Sequence, residues 1–237
     1  MNYIIPAAGI GTRLHPLTQE SAKCLFKLGL EMTIIKRMIK LIKKYDSNAG
    51  ITIITGFAQK KVQEELKDFR DVRFIHNPFF RVTNSIASVW LAREQMIGPT
   101  VIINSDIVFE QKLCKEVIVS PISKDEVLMD GSIRTDGDYN VQVHNGLVSV
   151  MSKELKNYHG EYAGITRLTE SGVEKLKCEI DYMINGGYYN QWYETALVQM
   201  IFSDSFQLYY TDIQTYSWTE VDTVDDLLKA KEIYVKS

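Results

Sequence analysis

Residues Asn2–Lys27 read Asn-Tyr-Ile-Ile-Pro-Ala-Ala-Gly-Ile-Gly-Thr-Arg-Leu-His-Pro-Leu-Thr-Gln-Glu-Ser-Ala-Lys-Cys-Leu-Phe-Lys. A short apolar run from Tyr3 to Ile5 predicts a buried strand. It empties into Ala7, Ala8, Gly9 and Gly11, small residues whose backbone N–H groups can approach an anion closely. Arg13 follows as a fixed cation. Pro16 and Thr18 keep the next segment from becoming a long helix, which lets Lys23 fold back toward the same anion. The stretch therefore predicts a phosphate-binding loop. Two common phosphate loops do not match it: a dinucleotide fingerprint needs a third glycine where Leu14 stands, and the Gly-Lys-Ser/Thr of a P-loop is absent.

Outward from the loop, Ile34, Ile35, Met38, Ile39 and Ile42 recur at helical spacing, with Lys36, Arg37, Lys40, Lys43 and Lys44 on the complementary positions as a solvated face. Ile51–Thr55 is a β-branched strand run, Gln59–Phe69 reads as a helix and Val72–Ile75 as a short strand. This βαβαβ alternation predicts an α/β fold, a Rossmann-like, mostly parallel sheet with helices on both faces and ligands beyond the carboxyl ends of the strands. Thr83 or Asn84 can cap the next helix. Asn84 and Ser88 then share one face near its start, where they could hydrogen-bond a base or an anion. Trp90 is expected in the core. Val101–Asn104 is another buried strand and delivers Asp106 at its carboxyl end.

After Glu126 the pattern changes to hairpins. Asn140–Val150 alternates polar and apolar residues around Asn145-Gly146, a dipeptide suited to the positive φ angles of a type I′ turn. Asp130, Asp136 and Asp138 lack the calcium-loop spacing and read as turn residues. Leu168–Leu176 reads as a short helix. Tyr188, Tyr189, Trp192, Tyr193 and Glu194 cluster just before a helix at Thr195–Ile201; they suit either an acceptor pocket or a core edge. Leu208–Thr211 is a strand, and Glu220 and Asp222 fall on one face at period two. Thr223 or Asp222 caps a closing helix.

The chain has 237 residues, 45% of them hydrophobic and 24% charged, which suits one large α/β domain spanning 1–237. A net charge of −3 argues against broad nucleic-acid binding, so anions must be gripped locally. Cys24, Cys114 and Cys178 are odd in number and widely spaced, which indicates neither a disulfide framework nor a zinc site and fits a cytoplasmic protein. No run approaches membrane-spanning length.

Ala-Ala-Gly-x-Gly-Thr-Arg-Leu-x-Pro-Leu-Thr with Lys23 and Leu25 resembles the opening of the nucleotidyltransferases that activate sugar 1-phosphates and phosphocholine. Ala22 stands where that family usually has proline. The Asn84/Ser88 segment is similar to the phosphocholine cytidylyltransferase branch, Asn-Ser-Asp ending at Asp106 to the family's Gly-Asp, Gly160–Gly164 to its Gly-Glu-Tyr/Phe-x-Gly, and Glu220-Val221-Asp222 to its Glu-Ile-Asp. The resemblance implies the nucleotidyltransferase fold with an inserted β-hairpin region, residues 1–125 binding nucleotide and 126–237 the acceptor. It implies Mg²⁺ held by Asp106, Glu220 and Asp222, catalytic Arg13 and Lys23, and a nucleotide, CTP by preference, on Ala7, Ala8, Gly9, Gly11, Thr12, Asn84, Ser88 and Asp106. The acceptor, a phosphomonoester such as phosphocholine, phosphoethanolamine, a phosphonate or an amino-acid phosphate, is expected at Glu161, Tyr188, Trp192, Tyr193 and Glu194. A product serving cell-surface polysaccharide synthesis fits this branch. Other readings stay open: a sugar-1-phosphate nucleotidyltransferase using another nucleoside triphosphate, or a non-catalytic nucleotide-binding regulator. Partners are then small molecules, without nucleic acid or membrane, and a homodimer is left open.

Overall fold

The apolar run at the N-terminus forms β1 (Asn2–Ala7), the strand on which the rest of the sheet is laid. The computed structural model describes the chain except residues 12, 13, 15, 17, 20, 135, 136, 138, 204, 205 and 237. After β1 come α1 (Ile34–Tyr45), β2 (Gly50–Thr55), α2 (Gln59–Glu65), β3 (Arg73–His76), α3 (Ser85–Leu91), β4 (Thr100–Ile103) and β5 (Ile107–Phe109). A helical turn, α4 (Gln111–Leu113), continues as a π-helical stretch, Cys114–Ile118. There follow β6 (Glu126–Asp130), β7 (Asn140–His144), β8 (Leu147–Ser152), β9 (Gly160–Leu168), α5 (Glu170–Asn185), α6 (Tyr193–Ser203), β10 (Tyr209–Asp212), β11 (Trp218–Glu220) and α7 (Val224–Lys236).

The sheet runs β10-β6-β9-β4-β1-β2-β3, with β7 and β8 joined to β9 as a hairpin. β1 is parallel to both β2 and β4, and β2 to β3, as the βαβ alternation requires. β9 enters antiparallel between β4 and β6, which makes the sheet mixed. Successive side chains alternate faces. Tyr3 and Ile5 join the core under α1 with Ile35, Met38 and Ile39, whereas Ile4 joins the opposite core with Ile86 and Val89 of α3 and Leu197 of α6. Among the described residues no helix is long and apolar enough to cross a membrane.

The hairpin turn is where its residues put it: Asn145 has φ 50° and Gly146 φ 78°, the two left-handed positions of that turn. Elsewhere the packing overrides local reading. Arg37, expected on the solvated face of α1, is buried and donates from Nη1 to the carbonyl of Phe109 at 2.6 Å, because that turn of the helix lies over the end of β5. The helix expected at Leu168–Leu176 is α5, which starts later, at Glu170, and runs on to Asn185. Leu168 is still paired with Thr100 in the sheet, Thr169 caps by accepting from Gly172 N at 3.1 Å, and the apolar spacing continues through Val173, Leu176, Ile180 and Met183. Trp90 is only half buried: its Nε1 donates to Asp181 at 2.6 Å and Arg93 lies 4.2 Å over its ring, so it joins α3 to α5 at their wet edge. Asp130 is more than a turn residue, since its buried carboxylate accepts from Trp218 Nε1 at 2.8 Å and from Ser132. Asp136 and Asp138 lie outside the described residues.

Candidate active site

A cleft of about 330 Å³ opens beyond the carboxyl ends of β1 and β4, the place where open α/β sheets bind ligands. Ala7, Ala8, Gly9 and Gly11 form one wall. Gly11 has φ +70°, and a Cβ built there would lie 2.9 Å from Lys23 Cγ, so the lysine stem packs directly on the bare backbone. Thr18 donates from Oγ1 to the Gly11 carbonyl at 2.6 Å and ties the loop shut behind it. Thr12 and Arg13 lie outside the described residues.

Lys23 Nζ is 3.2 Å from Asp106 Oδ2 and is bound to Asp222 Oδ1. Burial works against its charge, but Asp106, Asp222 and Glu220 outweigh it and hold the ammonium above the ordinary lysine range. Asp106, Glu220 and Asp222 each bring a carboxylate oxygen within 4.8 Å of the other two. Register brings together residues more than a hundred positions apart. β11 pairs antiparallel with β5, Glu220 opposite Ile107, and Val221 N donates to the Asp106 carbonyl at 3.1 Å. Three hard carboxylate oxygens converging on one point fit Mg²⁺, and the cation that Lys23 places among them satisfies the same negative field.

On a second wall, Asn84 caps α3 by accepting from Ser85 N at 2.8 Å, and Ser88, one turn on, is buried with its hydroxyl bonded to Asn77. The strand-to-helix connection that holds them is braced by the segment before α6: Asn84 N donates to the Tyr189 carbonyl, and Tyr193 N donates to Ser85 Oγ at 2.9 Å.

That bracing sorts the aromatic cluster. Trp192 and Glu194 line the cleft. Tyr193, between them, is 0% exposed, and its hydroxyl shares hydrogen bonds with Tyr162 at 2.5 Å and Thr166 at 3.1 Å; it is a core residue because α6 begins there and turns that position onto the sheet. Tyr188 is 55% exposed in the turn before α6 and does not line the cleft. Glu161 is also outside the lining, on β9 opposite Asp130 of β6 and Asn140 of β7.

Residues that the sequence reading passed over line the cleft too: Asn77, Asn104, Tyr139 and Lys153. Lys153 Nζ lies 4.1 Å from the Trp192 ring centre, and Tyr139 meets the same ring edge-on at 5.4 Å. Lys153 ends the hairpin, a position that alternation makes legible as a strand end but not as a cleft wall. Glu194 is buried, and desolvation pushes its carboxyl up to about 7 against the opposing pull of the hydrogen bonds it receives, one of them from Asn104.

Comparison with known proteins bears on this geometry. The chain is 25% identical to a choline-phosphate cytidylyltransferase of Streptococcus pneumoniae over 236 residues, covering 98% of each chain. It is 21% identical to a CTP:phosphoglutamine cytidylyltransferase of Campylobacter jejuni over 251 aligned positions, covering 96% of this chain and 98% of the relative. The solved structure of CTP:phosphocholine cytidylyltransferase from Streptococcus pneumoniae superposes with a TM-score of 0.80 at 22% identity, covering 98% of both chains, and so shares the fold. Residues 2–136, which include the glycine loop, Lys23, Ser88 and Asp106, match the family described as nucleotidyl transferase, and the chain belongs to that family.

Proposed function

We propose that the protein is a Mg²⁺-dependent cytidylyltransferase that transfers CMP from CTP to a phosphomonoester and releases pyrophosphate. The observation that carries this is the meeting of Asp106, Glu220, Asp222 and Lys23 at the end of the glycine loop, in one cleft with Asn84 and Ser88. Cytidylyltransferases among the full-length relatives support the choice of nucleotide.

In the reaction a phosphate oxygen of the acceptor attacks the α-phosphorus of CTP, a new P–O bond forms, and the bond to the β-phosphate breaks with its electrons leaving on pyrophosphate. A phosphomonoester is largely dianionic at neutral pH, so no side chain has to remove a proton from the nucleophile. Mg²⁺, held by Asp106, Glu220 and Asp222, would supply charge neutralisation on the triphosphate. Ala8, Gly9 and Gly11 line the wall, and their backbone N–H groups are expected to cradle the phosphates. Lys23 is expected to hold the acceptor phosphate, Arg13 the departing pyrophosphate, and Lys153 supplies a further cation to the cleft. Catalysis then rests on alignment and charge, for which about 7 to 11 kcal/mol is available from positioning alone.

The acceptor end is defined by Trp192, Tyr139, Glu194, Asn104 and Lys153. Because Lys153 already lies over Trp192, a quaternary ammonium would have to displace one cation with another. An amino or amide head group, hydrogen-bonded by the Glu194 carboxyl and Asn104, fits without that exchange.

A pyrophosphate-release screen with Mg²⁺ tests the reading. CTP, UTP, GTP and dTTP are each paired with phosphocholine, phosphoethanolamine, aminoethylphosphonate, amino-acid phosphates, polyol phosphates and sugar 1-phosphates. CTP with an amino- or amide-bearing phosphomonoester is expected to give the highest kcat/KM. Turnover confined to a sugar 1-phosphate with another nucleotide would overturn it.

A further inference from the structure

The carboxamide of Asn77 has one admissible orientation. Its Oδ1 accepts from the backbone N–H of Phe79 at 2.9 Å, a group that can only donate, so Nδ2 must occupy the other side. The two protons of Nδ2 go to Thr83 Oγ1 and Ser88 Oγ, both at 3.1 Å. Asn77 is 1% exposed and Ser88 3%, so bulk water does not compete for their bond. The two hydroxyls then differ. Thr83 donates its own proton to the Phe79 carbonyl at 2.9 Å and is committed in both directions. Ser88 Oγ accepts from Asn77 and has no other hydrogen-bond partner among the described residues, so its proton is left for the cleft that it lines.

We propose that Asn77 is a positioning residue for base selection: its Nδ2 takes one lone pair of Ser88 and cannot receive the hydroxyl proton, so that proton is directed into the cleft toward the bound base, and the fitting partner is N3 of cytosine. N3 of cytosine carries a lone pair, whereas N3 of uracil carries a hydrogen, so a hydroxyl proton pointing into the cleft is satisfied by the first and not by the second. The assignment rests on reading the cleft as a CTP site. Asn77 makes no contact with the nucleotide in this scheme and acts through Ser88.

The test inverts the polarity. In Asn77→Asp the carboxylate still accepts from Phe79 but has no proton to give, so the Ser88 hydroxyl turns back to donate to it and a lone pair faces the base. Binding of CTP and UTP with Mg²⁺ is measured by calorimetry at pH 8 for wild type, Asn77→Asp, Ser88→Ala and the double variant. The CTP-to-UTP affinity ratio should fall about tenfold in Asn77→Asp, the scale of one misdirected hydrogen bond, through weaker CTP and unweakened UTP binding. Ser88→Ala should also lower the ratio, and adding Asn77→Asp to it should change the ratio no further. Equal weakening of both nucleotides in Asn77→Asp, or an undiminished effect of that change on the Ser88→Ala background, would overturn the proposal. Should circular dichroism show Asn77→Asp unfolded, Ser88→Ala decides alone: an unchanged ratio overturns the proposal. A wild type that binds UTP more tightly than CTP overturns the cytidylyl reading instead, while the non-additivity of the two substitutions still decides whether Asn77 governs Ser88.

Discussion

Asp106 and Glu194 are both carboxylates of the same cleft, yet their surroundings give them different work. Asp106 faces Lys23 and two further acids, so it is placed to share in holding a cation. Asp106→Asn should lower kcat by at least about 10²-fold, the scale for losing one positioned electrostatic contact, and weaken Mn²⁺ binding with little change in the circular dichroism spectrum. Near-normal turnover at ordinary Mg²⁺ would remove Asp106 from the metal site. Glu194 is desolvated by burial, which outweighs the hydrogen bonds it receives and the Lys153 charge, and it keeps its proton up to about pH 7 in the folded chain, against the ordinary 4.5. The folded state therefore binds more protons than the unfolded chain across that window, and stability falls as pH rises through it. Glu194→Gln should flatten the slope and leave the metal-free variant the more stable at pH 7.5, by up to about 3 kcal/mol. Urea denaturation at pH 5 and pH 7.5 compares the two slopes; parallel slopes would mean that Glu194 titrates normally.

Among elements, the ribbon of β5 and β11 does most to assemble the site, because it carries Glu220 and Asp222 to Asp106. Its exit into α7 is held by a reciprocal cap. Thr223 Oγ1 accepts from Asp226 N at 3.2 Å, and Asp226 Oδ2 accepts from Thr223 N at 2.8 Å and Asp222 N at 3.1 Å. Ala230 and Ile233 of α7 pack with Val221, so the helix also clamps the residue between the two acids. Thr223→Ala should cost about 1 kcal/mol in denaturant unfolding, the usual loss of a cap. Turnover at saturating Mg²⁺ should stay near wild type, since Asp226 still holds Asp222 N; a large fall in kcat would show that the hydroxyl shapes the metal site itself.

Across the whole molecule, the joint between the parallel strands and the later part of the sheet is β9, and a buried ion pair sits in it. Arg167 donates from Nη1 to Glu126 and from Nη2 to the Ser120 carbonyl at 2.6 Å, while Thr211 donates to Glu126 at 2.7 Å, so β6, β9 and β10 share one network. Glu126→Ala would leave the Arg167 charge buried without its carboxylate and should cost about 3 to 5 kcal/mol, a large part of a typical domain's stability. Equilibrium urea unfolding measures it, and a loss below about 1 kcal/mol would mean that water reaches the arginine.

Much of this was legible in the chain because it depends on neighbours in sequence. The strand emptying into Ala7 to Gly11, the βα alternation as far as β4 and the Asn145-Gly146 turn all follow from local residue chemistry, and each is found in the predicted order, although α2 ends at Glu65 rather than Phe69. What the sequence left open is which way a side chain faces once elements pack. Trp192, Tyr193 and Glu194 are consecutive, and only the docking of the segment before α6 on Ser85 sends the tyrosine into the core and leaves its neighbours in the cleft. Arg37 has the local pattern of an exposed helix residue and is buried by where α1 crosses β5. The hydroxyl of Ser88 is met by the amide of an asparagine eleven residues away. Periodicity and turn chemistry act over a few residues and can be read in order along the chain, whereas facing, burial and hydrogen-bond direction belong to contacts between distant segments and exist only after the sheet has been assembled.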